Sequence, residues 1–426
     1  MKKPDNLCMA PWTHTYLSPQ TERRLCCASR EPAQSFTQYI DSSPGDDQYT
    51  PSTLEEHWNS PHMRRIRLQM LADQVPAECE VCDKRLLNTD VYRDYFNQLF
   101  QNDWDQVLDS TDATGATTMR PVSWDYRFSN VCNFRCRMCG PMLSSAWEAE
   151  SRDNGFLEAW QAPRVKRKIS AFQRDVVESE FNAAVEACSV REIYWVGGEP
   201  LLMSQHWRYM PRIIELNAGK DLYARYNTNL SSITSGNYHL FKDILPHVRD
   251  WQVCASLDGV GRVGEYIRTG LDYDQFIVNF RTGLESARHS RNMRLDFTLT
   301  TPGLGQIIPI MRLASSLGVD VLAKVCFAFT PDIAMSPLFI PAHILHPIIN
   351  SVLPSTSGAM RDVLSNLLDR PTFDQQYPDT YLSARSRAKR RIQTLDSGRN
   401  GIGFEDTLGD FPQLLEWWRS IDTSCT

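Results

Sequence analysis

The chain of 426 residues is 42% hydrophobic, 10% aromatic and 23% charged, which fits two or three globular units and excludes a disordered protein. A formal net charge of -6 argues against a broad electrostatic grip on nucleic acid. No apolar stretch follows Lys2 and Lys3 and no run approaches the width of a bilayer, so no secretory signal and no membrane partner are expected. The twelve cysteines are therefore expected in a reducing, cytoplasmic setting, where metal binding or catalysis outweighs disulfides.

Residues 1–120 are rich in loop signals, as in QSFTQYIDSSPGDDQYTPST. Leu54, Trp58, Met63, Ile66 and Met70 recur at helical spacing and predict a helix over 52–72, with a second over 91–100. Cys8, Cys26, Cys27, Cys79 and Cys82 all fall here, and so loop-rich a module needs a staple. Cys8, one of Cys26 and Cys27, and the C-x2-C pair Cys79 and Cys82 can supply four thiolates. That set suits structural zinc or a fully ligated iron–sulfur cluster, with zinc favoured by spacing alone.

From residue 121 short β-rich runs appear at 122–128, 192–196, 222–228, 251–257, 294–300 and 319–327. Helix-compatible stretches at 203–217, 234–247, 275–288 and 304–317 separate them, and the insert from Ser145 to Ser189 reads as largely helical. Such alternation predicts parallel strands with right-handed crossovers, an α/β fold built as a partial (β/α)6 barrel over 121–330. In barrels of this kind chemistry sits at the C-terminal ends of the strands. Residues 331–426 form a mixed C-terminal extension. The basic runs Arg164–Lys168 and Arg385–Arg391 read as solvated helix faces, and Cys188, Cys254, Cys326 and Cys425 as small core residues.

Directly after the first of these strands comes CNFRCRMC, with Cys132, Cys136 and Cys139. No histidine lies near it, which disfavours catalytic zinc. Iron–sulfur clusters take thiolates at such short spacings, and three cysteines on four irons leave one iron open. The second strand ends in GGEP (Gly197 to Pro200), where Gly197 and Gly198 let the backbone approach a ligand and Glu199 can accept from an ammonium. The third ends in NTNL, with Thr228 and Asn229, and the fourth in ASLDG, with Ser256 and Asp258. Arg268 follows in EYIRTG, and its fork suits a carboxylate. Gly259 to Gly264 matches G-x-G-x-x-G, but at the fourth strand, and the position expected to be acidic falls in FIVNF. It reads as a flexible loop and not as a dinucleotide fingerprint.

The C-x3-C-x2-C loop after a first barrel strand, together with GGEP and SLDG, resembles the radical S-adenosylmethionine (SAM) enzymes. The resemblance implies a 4Fe-4S cluster on Cys132, Cys136 and Cys139 whose open iron binds SAM. It implies reductive cleavage of SAM to methionine and a 5′-deoxyadenosyl radical, which takes hydrogen from a substrate. By the same resemblance Gly197, Gly198, Glu199, Pro200, Asn229, Ser256, Asp258 and Arg268 bind SAM. One departure is Met138, where the family often has an aromatic residue. LCMAPW, RLCCAS and ECEVC are similar to the cysteine modules of SPASM and twitch relatives, here placed before the barrel. That likeness reverses the preference for zinc and implies a second, auxiliary 4Fe-4S cluster on Cys8, Cys26, Cys79 and Cys82. An electron donor such as flavodoxin or ferredoxin is implied, and a substrate that is a peptide, a protein or a small metabolite. Asp125, Arg127, Glu265, Thr300 and Lys324 are substrate-side candidates by position. The competing expectation is a non-catalytic iron–sulfur or zinc scaffold.

Overall fold

A computed structural model describes residues 3–29, 49–83, 92–153, 158–327, 333–399 and 401–424. Cys425, and the loop expected over 34–53 as far as residue 48, lie outside the described residues. The chain divides into two compact units, the first of Met1–Cys132, Pro141–Tyr226 and Ile233–Trp251, the second of Asn133–Gly140, Asn227–Ser232 and Gln252–Thr426.

In the first unit β1 (His14–Leu17) pairs antiparallel with β2 (Arg23–Arg24) and parallel with β3 (Ser123–Tyr126). β3 pairs parallel with β4 (Glu192–Trp195), and β4 with β5 (Tyr223–Thr228), whose last residues belong to the second unit. Because side chains alternate along a strand, each sheet face collects every second residue. One face carries Trp124, Tyr126, Ile193, Trp195 and Tyr226. It is aromatic, with Trp124 5.4 Å from Phe181 and Phe181 4.9 Å from Tyr209 between ring centroids. The other face carries His14, Tyr16, Ser123, Asp125, Glu192, Tyr194 and Arg225 and is polar.

The helix expected over 52–72 is two, Leu54–Trp58 and Pro61–Leu71. Thr53 and Glu56 form a capping box on the first, and Ser60 caps the second with Pro61 in its first turn. Pro61 has no N–H to continue the earlier helix and keeps Ser60 extended, so the break is local chemistry. From the second helix the fully buried Arg67 donates to the carbonyls of Pro11 and Trp58 at 2.9 and 2.7 Å. Burial draws its pKa down to about 9. Of the helix-compatible stretch 234–247, Leu240–His247 is helical, but its start is a hairpin of β6 (Thr234–Ser235) and β7 (Tyr238–His239) that turns at Gly236 with φ +56°. Gly-Asn is a favoured two-residue turn, and its preference overrides the apolar spacing.

His14 and His206 are buried, the first on Ser123 Oγ at 2.7 Å, the second on Tyr226 Oη at 3.1 Å. Burial lowers both to about 3, and for His14 the guanidinium groups of Arg225 and Arg127 add to it. Below the ordinary histidine range the unfolded chain binds more protons than the fold. Stability should therefore rise with pH between about 3 and 6.5, by up to about 1.4 kcal/mol per unit for each histidine. Urea midpoints at about pH 7 and about pH 5 should differ in that sense. A His14→Gln, His206→Gln chain should show a flatter dependence, and an unchanged slope would refute the assignment.

In the second unit β8 (Asp250–Ser256, begun in the first unit), β9 (Met293–Leu299) and β10 (Val321–Val325) pair parallel. With β3, β4 and β5 these are the six strands expected from the sequence, in a mostly parallel α/β fold. Helices Tyr273–Ser286 and Ile307–Leu317 connect them, the first capped by Asp272, the second ended by left-handed Gly318. The run 259–264 is no flexible loop: a helix begins at Gly261. A Cβ on Gly264 would stand 2.2 Å from the Gly259 carbonyl oxygen, so that glycine serves packing. Within the basic run 385–391, Lys389 is buried and donates to the carbonyls of Trp418, Arg419 and Ile421, capping the helix Pro412–Ser420.

The boundaries expected near 120 and 330 do not coincide with the division between units. β1 joins residues before 120 to β3 through backbone pairing. Thr301 joins the far side of 330, its amide donating to Met335 O and its hydroxyl to Ser336 O. Among the described residues no helix is long and apolar enough to cross a membrane.

Candidate functional site

In the first unit Cys8, Cys26, Cys79 and Cys82 line one small cavity of about 20 Å³, walled by Leu25, Val81 and Phe96. Cys27 does not line it and hydrogen-bonds to Tyr92 instead; the two neighbours lie in a turn closed by the Ser29 amide on Cys26 O. Burial, with the Cys82 thiol nearby, pushes Cys8 up to about 12. Burial likewise raises Cys26 and Cys79, and both are raised further by Cys8. Crowded, desolvated thiols favour the thiolate form only beside a cationic occupant, and sulfur donors suit iron or zinc. Among the described residues no three His, Cys, Asp or Glu side chains gather tightly enough to hold one ion.

Cys132 also lies in the first unit. Ser145 Oγ, at the start of the helix Ser145–Asp153, stands 3.2 Å from both its amide nitrogen and its carbonyl oxygen. GGEP runs against the residue before it. The Glu199 amide donates to Val131 O at 2.6 Å, and a Cβ on Gly198 would stand 2.1 Å from that oxygen. The close approach that demands glycine at 198 is thus to the chain leading into Cys132. Gly197 has φ +133°, a conformation side chains resist. Glu199 is buried and accepts the Leu201 amide at 3.1 Å, fixing the turn Pro200–Leu202.

Cys136 and Cys139 lie in the second unit, on a segment pinned by its backbone and its arginine. The Arg135 and Arg137 amides donate to Thr269 O and Ile267 O, both at 2.8 Å. The Arg137 side chain donates to Tyr266 O at 3.0 Å, lies 3.8 Å over the Tyr266 ring and pairs with Asp396 at 2.7 Å. Asn229 donates to Asn133 Oδ1 at 3.0 Å and accepts from the Ser231 amide. Asp258 is fully buried, with Oδ1 accepting the Thr298 amide and Oδ2 facing Arg268 Nε, each at 2.7 Å. Arg268 Nη1 then stands 4.0 Å from Cys136 Sγ. Burial opposes the charge on Arg268, but Asp258 and Cys136 more than offset it and its pKa is raised. Asp258 thus works through Arg268, and Asn229 through the cysteine segment. Ser256 closes β8 in register with Asp296.

Of the substrate-side candidates, Thr300 and Glu265 accept the amides of Gly303 and Tyr273 and shape turns. Asp125 and Lys324 are paired, the first with Arg127 at 3.1 Å, the second with Asp296 at 2.8 Å. Sequence reasoning passed over Asn227, which donates to Asp296 at 2.6 Å, and over Glu192, Tyr194 and Arg225. Their signal was present in EIYW and YARYNT, where polar and apolar residues alternate inside strands that otherwise read as buried.

No family model matches the chain, and no curated protein does. Among solved structures it is similar to Streptococcus suis SuiB bound to precursor peptide SuiA, at 12% identity and a TM-score of 0.35, covering 78% of this chain and 79% of that one. It is also similar to anSMEcpe with bound AdoMet, at 15% identity and a TM-score of 0.36, covering 64% and 66%. At these scores the likeness is loose, and the site stands on this chain's own residues.

Proposed function

We propose that the protein is a radical SAM enzyme with an auxiliary cluster module at its N-terminal end. The observation that carries this reading is the buried relay from Thr298 through Asp258 and Arg268 to Cys136, a guanidinium fixed beside one thiol of the three-cysteine loop. A cysteine staple needs no such cation. Cys132, Cys136 and Cys139 would hold a 4Fe-4S cluster, and Cys8, Cys26, Cys79 and Cys82 a second. When bound, the first cluster supplies the electron that cleaves SAM to methionine and a 5′-deoxyadenosyl radical, which takes hydrogen from a peptide, protein or small-metabolite substrate. The chain's own residues bind and orient. Arg268 offers its fork to a carboxylate, and Glu199, steadied by the Leu201 amide, accepts from an ammonium. A donor such as flavodoxin or ferredoxin would deliver the electron.

Anaerobically reconstituted protein should bind SAM. Arg268→Ala should weaken that binding by about tenfold or more, the size of one charge-assisted hydrogen bond, with iron content unchanged. A reconstituted chain that is colourless, free of acid-labile sulfide and blind to SAM would favour the zinc scaffold and refute the enzyme.

A further inference from the structure

The polar face of the first unit's sheet holds a cation that the proposed chemistry does not use. Arg225 stands on β5 in register with Tyr194 on β4. Its guanidinium carbon lies 3.8 Å from the Tyr194 ring centroid and 4.2 Å from that of Tyr95. Both rings are within cation–π range of the guanidinium, which restrains it between them. Glu192 fixes the arrangement from behind. One of its oxygens accepts from Tyr95 Oη at 3.0 Å and the other from Ser123 Oγ.

That carboxylate does not satisfy Arg225. Its nearer oxygen is 3.6 Å from Arg225 Nε, beyond hydrogen-bond reach, and among the described residues Nε finds no acceptor. Nor does either Nη donate to a described residue. The neighbouring Arg127 contrasts with it, because Asp125 takes both its Nε and Nη2 at 3.1 and 3.2 Å. The Arg225 side chain is 12% exposed and therefore not sealed from solvent. A planar fork clamped between aromatic rings with its donors unmet matches the geometry of a carboxylate, which accepts from both arms at once. Clamping also removes the rotamer freedom that binding would otherwise cost.

We propose that Arg225, clamped by Tyr95 and Tyr194 and backed by Glu192, is a carboxylate receptor, and that the substrate class taken on this face carries a carboxylate. The role of substrate rests on the enzymatic reading above, whereas carboxylate binding does not. A test that needs neither cluster nor turnover therefore separates the two.

The probe is para-fluorobenzoate, with para-fluorobenzamide as the uncharged shape control, titrated against the full chain by fluorine NMR. The carboxylate should bind about tenfold more tightly than the amide, the discrimination expected of a two-point charge-assisted contact. Arg225→Gln should erase the difference, and Arg225→Lys, which keeps the charge and loses the fork, should reduce it. Should the glutamine variant fail to melt cooperatively, the lysine variant and Tyr194→Leu carry the test. Competition with SAM, run separately on the anaerobically reconstituted chain after its SAM binding has been verified, distinguishes the two sources of carboxylate. If SAM leaves the probe bound the receptor serves the substrate, and if SAM displaces it the receptor serves the cofactor's own carboxylate and the substrate assignment falls. Equal binding of acid and amide, or a glutamine variant that binds like the wild type, would reduce Arg225 to a counter-ion of Glu192 and overturn the receptor.

Discussion

Changing Cys132, Cys136 and Cys139 together to alanine is expected to abolish 5′-deoxyadenosine formation from SAM. The fall should be at least about a thousandfold, beyond the roughly 10–100-fold that losing a supporting contact gives. The fold should survive. The segment is held by the Arg135 and Arg137 amides on Thr269 and Ile267 and by the Arg137–Asp396 pair, and none of these contacts uses a thiol. Cys132 is likewise held through its backbone by Ser145. The melting temperature should therefore stay close to wild type, and about half the iron should remain if the four-cysteine cavity is loaded independently. Persistent 5′-deoxyadenosine in the triple variant would sink the catalytic assignment. Complete loss of iron would instead show that the two cysteine sets depend on each other.

What could be read from the sequence follows from what each signal depends on. The strands around Trp195, Tyr226 and Leu299 were legible because a buried parallel strand must be apolar or β-prone over a short run, whatever lies beside it. The thiols were legible because ligand spacing is local. The choice of Cys26 over Cys27 came from resemblance; of the two, Cys26 lines the cavity. What escaped was non-local. Nothing in HTYL says that His14 to Leu17 pair with Ser123 to Tyr126, a partnership across more than a hundred residues that pulls the N-terminal cysteine module into the first unit's sheet. Glycine was also read for the wrong neighbour. The demand at Gly198 comes from the Val131 carbonyl, a contact that exists only once the turn after β4 meets the segment before Cys132. Asp258 was taken as a rim ligand, yet both its oxygens are committed to Thr298 and Arg268. A motif gives residue types, and only the surroundings decide which of them face a ligand.

The second large effect is expected at the buried cavity. Replacing Cys8, Cys26, Cys79 and Cys82 by serine should remove about half the iron from reconstituted protein and destabilise the N-terminal part of the first unit by several kcal/mol. That part has few long elements of its own. Its apolar cluster draws Leu7, Met9, Trp12, Met63, Ile66, Met70 and Phe96 from separate short segments around the thiols. An occupant bonded to four points of the chain ties those segments together, and metal ligation of this kind contributes on the order of 10 kcal/mol to a small module. Serine would leave hydroxyls in an apolar wall, each costing about 1–3 kcal/mol if unpartnered. Cys27→Ser is the matched control, since its side chain hydrogen-bonds to Tyr92 and does not line the cavity, and it should leave the iron content at the wild-type level. SAM binding should fall less than thermal stability, because the proposed SAM ligands belong to other segments. Zinc in place of iron in the anaerobically prepared Cys132, Cys136 and Cys139 triple variant would overturn the second cluster and leave a structural staple. Iron unchanged by the quadruple substitution would remove the cavity from the account altogether.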